Sequence, residues 1–154
     1  MDVTETYIKM CDCEEIQPKE ASGWIGGSHQ GGNIYFHTPS VHQKALGIPD
    51  GYYYMIQKEI EDTCSECGKS EKYMQTVKVI WLPRQGQLQE MIEYPSAYSL
   101  LTILEFFYDS VGCEDYPYFR QFTSMEQLWL AFVMKEKYNK VWAGEKWIDN
   151  RDKA

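Results

Sequence analysis

An α+β fold, with a small antiparallel sheet of about three strands packed with four helices (one N-terminal, three C-terminal), follows from three features of this 154-residue chain. Alternating hydrophobicity is concentrated between about residues 33 and 82. Helical periodicity occupies the beginning and nearly everything after Pro83. Hydrophobic residues make up 44% and aromatic residues 15%, enough to bury a core and too much for a disordered chain. The length fits one domain, residues 1–154, with residues 20–75 as a specialised middle insert.

The elements follow in order. Asp2 and Glu5 form a capping pair for a first helix over about 3–16, with Val3, Tyr7, Met10 and Cys11 as its apolar stripe and Pro18 closing it. Residues 20–32, with five glycines, read as a loop. Asn33 to His37 is a first strand. Tyr52 to Glu61 is a second, with Tyr52, Tyr54, Ile56 and Ile60 on one face and Gln57, Glu59 and Glu61 on the other. Tyr73 to Leu82 is a third, with Tyr73, Val77, Val79 and Trp81 opposite Lys72, Thr76 and Lys78. The last two pair as an antiparallel hairpin with one solvated face and a loop from Asp62 to Glu71. Helices are predicted at about 84–93, from a Ser96 cap to Gly112, and at about 124–139 behind a Thr123/Glu126 capping box. In the last of these, Leu128 to Met134 is apolar on nearly all sides, which places it centrally. Gly144 and a charged tail follow.

Charge and cysteine usage narrow the functional classes. A net charge of −8 and a pI near 4.9 disfavour direct contact with nucleic acid, whose phosphates demand a basic surface. They suit a basic partner, including a protein that itself holds nucleic acid. No apolar run approaches the ~18 residues of a membrane span. The first residues lack the basic and apolar regions of an export signal, and five cysteines, an odd number, form no disulfide framework. The expected location is the cytoplasm.

The strongest chemical motif is Cys64-Ser-Glu-Cys67-Gly68 in the hairpin loop, the shape of a zinc knuckle. A closed site needs four ligands, and no second CxxC exists. Cys11 and Cys13, two apart on a predicted helix, point roughly 200° apart and chelate poorly together. One of them, with Cys113, His37 or His42, could complete the set. The bland alternative is a turn with two reduced thiols. His29, His37 and His42 match no ligand spacing such as HExxH, the glycines of 23–32 lack the GxxxxGK[ST] phosphate loop, and no GxSxG occurs. No enzyme is expected, and no cofactor other than zinc at the CxxC. Carboxylates cluster on the hairpin at Glu59, Glu61, Asp62, Glu66 and Glu71. Same-face residues on a strand stand roughly 6.8 Å apart, so this row is the candidate surface for a basic partner; the alternative is an ordinary solvated face.

Three blocks carry a resemblance. They are Tyr7-Ile-Lys-Met-Cys11 with Glu15-Ile-Gln17; Val79-Ile-Trp-Leu-Pro-Arg-Gln85 with Gln87-Leu-Gln-Glu-Met91; and Glu126-Gln-Leu-Trp-Leu-Ala-Phe-Val-Met-Lys-Glu-Lys-Tyr138 with Lys140-Val-Trp142 and Gly144-Glu-Lys-Trp147. Together they resemble a group of small phage and prophage accessory proteins of Gram-positive bacteria, to which no activity attaches. The match covers both ends and the Trp81 region, leaving about 20–75 outside it. The resemblance implies a shared helical scaffold and stoichiometric binding to a host protein. The resulting expectation is a non-enzymatic inhibitor of a host nucleic-acid-handling defence protein, anti-CRISPR-like in action. The alternatives are a binder of a small molecule such as a signalling nucleotide, and a structural or assembly component of the virion.

Overall fold

The computed structural model of the protein describes residues 1–18, 34–46, 48–63, 67, 69–92, 97–110 and 116–152. The described elements, in chain order, are α1 (Glu5–Cys11), β1 (Ile34–His37), α2 (Val41–Ala45), β2 (Gly51–Thr63), β3 (Ser70–Leu82), α3 (Gln85–Glu90), α4 (Ala97–Ser110), α5 (Tyr116–Arg120), α6 (Met125–Tyr138), β4 (Lys140–Trp142) and β5 (Trp147–Asp149). The class is α+β, as the sequence predicts. One sheet is antiparallel in the order β1-β2-β3, and a second is the two-stranded β4-β5. The chain divides into two compact units, Met1–Glu15 with Pro83–Ala154, and Ile16–Leu82. Among the described residues no helix is long and apolar enough to cross a membrane.

The first unit is organised around α6. Its N-cap is Ser124, whose hydroxyl accepts from the Gln127 N–H at 3.1 Å, rather than the predicted Thr123. Asn139 ends it in the left-handed conformation, with its N–H donating to the Lys135 carbonyl at 3.0 Å. Trp129 to Met134 are all buried, so the apolar run occupies the centre of the unit as expected. Helices α1 and α3 and strand β4 pack against it. Its Phe132 ring lies 5.3 Å from Phe107 of α4 and 5.6 Å from Trp129, in tilted and edge-on contacts favoured by aromatic quadrupoles.

Several predicted boundaries shift for local reasons. Helix α1 spans seven residues instead of 3–16. Thr4, not Asp2, is its N-cap, and at Asp12 the backbone leaves helical geometry while its N–H closes onto Ile8 and Lys9. Asp2 instead accepts the Thr4 N–H at 2.8 Å. Two short helices are additional to the predicted four. Ser40 and Gln43 form a reciprocal capping box that starts α2 between Pro39 and Pro49, where no helix was predicted. Helix α5 precedes α6. The final strands β4 and β5 also escaped the sequence reading, because three residues give too short an alternation to register. They meet through a turn in which Gly144 takes φ 92° and the Ala143 N–H reaches the Lys146 carbonyl at 2.9 Å.

In the second unit β2 and β3 are thirteen residues each and form the predicted antiparallel hairpin, extended to a last pair at Thr63 and Ser70. Strand β1 pairs only with Gly51 to Tyr54 of β2. The predicted faces require correction. Tyr53 and Met55 are fully buried, whereas Tyr52 and Tyr54 are half-buried and Ile56 is exposed. The register slips by one residue between Ile56 and Gln57, so that Lys78 faces Ile56 but Thr76 faces Gln57 and Val77 is the extra, bulged residue. Since opposed residues share a face, Trp81, Val79, Thr76, Met74 and Lys72 line up with Tyr53, Met55, Gln57, Glu59 and Glu61. Tyr73 goes to the other face, opposite Ile60. At the base, the Gln17 amide substitutes for a further strand. Its Oε1 accepts the Trp81 N–H at 2.8 Å and its Nε2 donates to the Trp81 carbonyl at 3.0 Å.

Candidate functional site

The four described hairpin carboxylates, Glu59, Glu61, Asp62 and Glu71, do not form one row. Glu59 and Glu61 share a face with Lys72, whose ammonium pairs with Glu59 at 3.0 Å. Asp62 and Glu71 are opposed to each other on the reverse face, and Glu66 lies outside the described residues. Lysines 58, 69, 72 and 78 interleave with them. Residues 16–82 hold 7 acidic and 6 basic residues, a net of −1; residues 1–15 with 83–154 hold 16 and 9, a net of −7. The two units thus account for the chain's −8, and nearly all of it resides in the first.

The cysteines separate similarly. Cys67 is exposed near the hairpin tip, and Cys64 lies outside the described residues, as do His29, Cys113 and the whole of the glycine-rich loop 20–32. Cys11 and Cys13 belong to the first unit. Burial pushes the Cys11 thiol well up, despite an opposing hydrogen bond with Tyr7, which makes it a packed, inert group. The Tyr7 hydroxyl donates to the Pro83 carbonyl. Cys13, half-buried, donates to the Met10 carbonyl at 3.6 Å. His37 faces Gly51, at the hairpin's opposite end from Thr63. Among the described residues no three His, Cys, Asp or Glu side chains converge to hold a metal.

A concave site does exist in the first unit, at the C-terminal end of α1. It is a cleft of about 290 Å³. One wall is Lys9 and the bend from Asp12 to Glu15; the other is Lys140, Trp142 and the β4–β5 turn with Glu145, Lys146 and Trp147. The walls are fastened by specific bonds. The Trp147 indole N–H donates to the Met10 carbonyl at 2.8 Å, a helix-end acceptor that also takes the longer Cys13 thiol contact, and so anchors β5 to the end of α1. Lys9 bridges Glu145 at 2.9 Å and Glu5 at 3.2 Å, and Lys140 pairs with Glu15. Trp142 and Trp147 stand edge to face with centroids 5.1 Å apart. Behind them the Trp142 N–H donates to the Tyr118 hydroxyl at 3.2 Å, and burial pushes that phenol up to about 12.

The electrostatics follow from these contacts. Partial burial works to raise the Glu15 pKa, but the hydrogen bond and charge of Lys140 outweigh it and the net shift is downward. The bond with Glu15 raises Lys140, and bonds to Glu145 and Glu5 raise Lys9. Asp12, Glu14, Glu15 and Glu145 therefore sit with three lysines around two indoles, at a helix end that is itself partly negative. Such a cleft suits a guanidinium or ammonium, held by carboxylates and by indole faces. The cleft was not among the sequence-predicted sites. No local pattern marks it, because its walls come from residues 9–15 and 140–147, far apart in the chain. Comparison with known protein families, with curated proteins and with solved structures finds no match to this chain.

Proposed function

We propose that this protein is a non-enzymatic accessory protein that binds a basic host protein, of the kind that handles nucleic acid, and inhibits it by occupying the surface where phosphates would lie. The observation that supports this reading best is the concentration of net charge −7 in the first unit, which also bears the carboxylate and indole cleft. An acidic unit is attracted to a phosphate-binding channel over the screening distance, roughly 8 Å at physiological salt, and steers association more than it adds contact energy. The cleft then offers a seat for one arginine or lysine of the partner. A phosphate-bearing small molecule gains no support, since the same carboxylates repel it.

The test is capture of a partner from bacterial host lysate on immobilised full-length protein, followed by affinity measurement at 50 and 200 mM salt. The partner should be basic, and its affinity should fall at least about tenfold over that range, ~1.4 kcal/mol. Asp12→Asn with Glu14→Gln should weaken binding about tenfold, while Glu59, Glu61 and Glu66 changed together to Gln should alter it less than threefold. A partner that is not basic, or binding indifferent to salt, removes the electrostatic reading. A loss confined to the hairpin triple variant returns the binding surface to the hairpin.

A further inference from the structure

We infer that the cleft at the end of α1 selects arginine over lysine, with a partner's guanidinium lying on the Trp147 ring and donating from its edge to Asp12 and Glu14. It rests on the function proposed above and specifies the side chain by which the basic partner is gripped. At about 290 Å³ the cleft stands at the small end of ligand pockets, which span roughly 300–1,000 Å³. That suits the end of one side chain rather than a nucleotide. Four carboxylates and three lysines line the walls, which leaves one negative charge for one incoming cation to meet.

The resident lysines decide which cation gains most. Lys140 pairs with Glu15, and Lys9 pairs with Glu145 at 2.9 Å and with Glu5 at 3.2 Å. A further ammonium therefore competes with lysines that the fold already tethers beside these glutamates, and it gives up a tight hydration shell to do so. The bend contributes two more carboxylates, Asp12 and Glu14, both exposed. A guanidinium meets them on different terms. It is planar and weakly hydrated, and its five N–H donors form a fixed fork, so its edge serves carboxylates while its face lies on an aromatic ring.

That ring is Trp147. Trp142 is only 3% exposed, whereas Trp147 is half-buried and is the indole that can meet a ligand. Its position is set in advance. Its N–H is held by the Met10 carbonyl at 2.8 Å, and Trp142 stands edge to face with it at 5.1 Å. A ring fixed before binding adds no ordering cost when a guanidinium stacks on it. The glutamates paired with Lys9 and Lys140 keep their partners, so arginine adds contacts without breaking an ion pair. The fork that grips phosphate in a nucleic-acid channel is here offered carboxylates instead.

The experiment uses the full chain with isotope-labelled tryptophan and three capped tripeptides as probes. These are Gly-Arg-Gly, Gly-Lys-Gly and Gly-citrulline-Gly, the last keeping the shape of arginine without its charge. The Trp147 indole N–H resonance, assigned with Trp147→Phe, is followed as each peptide is added. The arginine peptide should give a saturable shift and bind at least about fivefold more tightly than the lysine peptide, and the citrulline peptide should give no saturable shift. Asp12→Asn with Glu14→Gln should erase the preference while the remaining indole signals stay in place, and Glu59→Gln on the hairpin should leave it intact. A smaller preference, a saturable shift with citrulline, no shift at Trp147, or a preference that survives the double variant each overturns the inference. The peptides need no host protein. Arginine selectivity with no basic partner captured from lysate would refute the proposed function alone, and capture of such a partner without selectivity would refute this inference alone.

Discussion

Replacing Asp2 by Asn tests how the first unit is tied together. The Asp2 side chain is 7% exposed and that of Gln127 is fully buried. On Asp2, Oδ1 accepts the Thr4 N–H at 2.8 Å, and Oδ2 accepts Ser124 Oγ at 2.5 Å and Gln127 Nε2 at 2.6 Å. One carboxylate therefore joins the start of α1 to the start of α6. A charged acceptor makes each bond worth about 1 kcal/mol more than a neutral one, and an unsatisfied buried donor costs about 1–3 kcal/mol. Asparagine brings an oxygen to one side only, so its NH₂ must face donors on the other. The expected loss is about 3 kcal/mol, or roughly 6–12 °C in melting temperature for a chain of this size. The pH dependence carries a second signature. Burial works to raise the Asp2 pKa, but hydrogen bonds from Ser124, Thr4 and Gln127 prevail and the net shift is below 3.8. A depressed folded pKa contributes stability that is complete above the unfolded value and is lost as pH falls through the folded one. The gap between parent and Asp2→Asn, measured by urea unfolding with near-ultraviolet dichroism, should therefore narrow from about pH 5 downward. A gap under 0.5 kcal/mol at pH 7, or one that stays constant to pH 2.5, would refute the reasoning.

Gln17→Ala should cost about 2 kcal/mol, since both edge bonds to Trp81 vanish, and should speed amide exchange at Trp81; unchanged exchange there would rule out the side-chain clasp. Asn139→Gly should leave stability within about 0.5 kcal/mol, while Asn139→Ala should lose about 1 kcal/mol because a Cβ without local side-chain bonding is strained at φ 53°. Equal melting of the two variants would argue that the cap geometry is immaterial. Trp129→Ala should destabilise by about 3–5 kcal/mol through the cavity left beside Phe132, and a calorimetric shift of less than 1 kcal/mol would mean that α6 is not the centre of its unit.

Local periodicity was enough to read the α+β class, the hairpin, α4 and the central α6, because the spacing of apolar residues along one segment reflects which side that segment buries. Within the Leu128 to Met134 run, the burial of Trp129 to Met134 was declared without any knowledge of their neighbours. The hairpin's faces were not legible in the same way. Val77 looks like one more residue in an alternating strand, and only the pairing with β2 makes it the bulge that moves Tyr73 across the ribbon and sets Lys72 between two glutamates. The charge of −8 was equally visible in the composition, yet its partition into −7 and −1 depends on which distant segments fold together. Asp2 read as a helix cap for the same reason: its partners Ser124 and Gln127 are 122 and 125 residues away. The cleft is the extreme case. Trp147, Lys140 and Glu145 acquire their roles only when β5 is anchored to the end of α1, a contact 137 residues apart that no local pattern encodes.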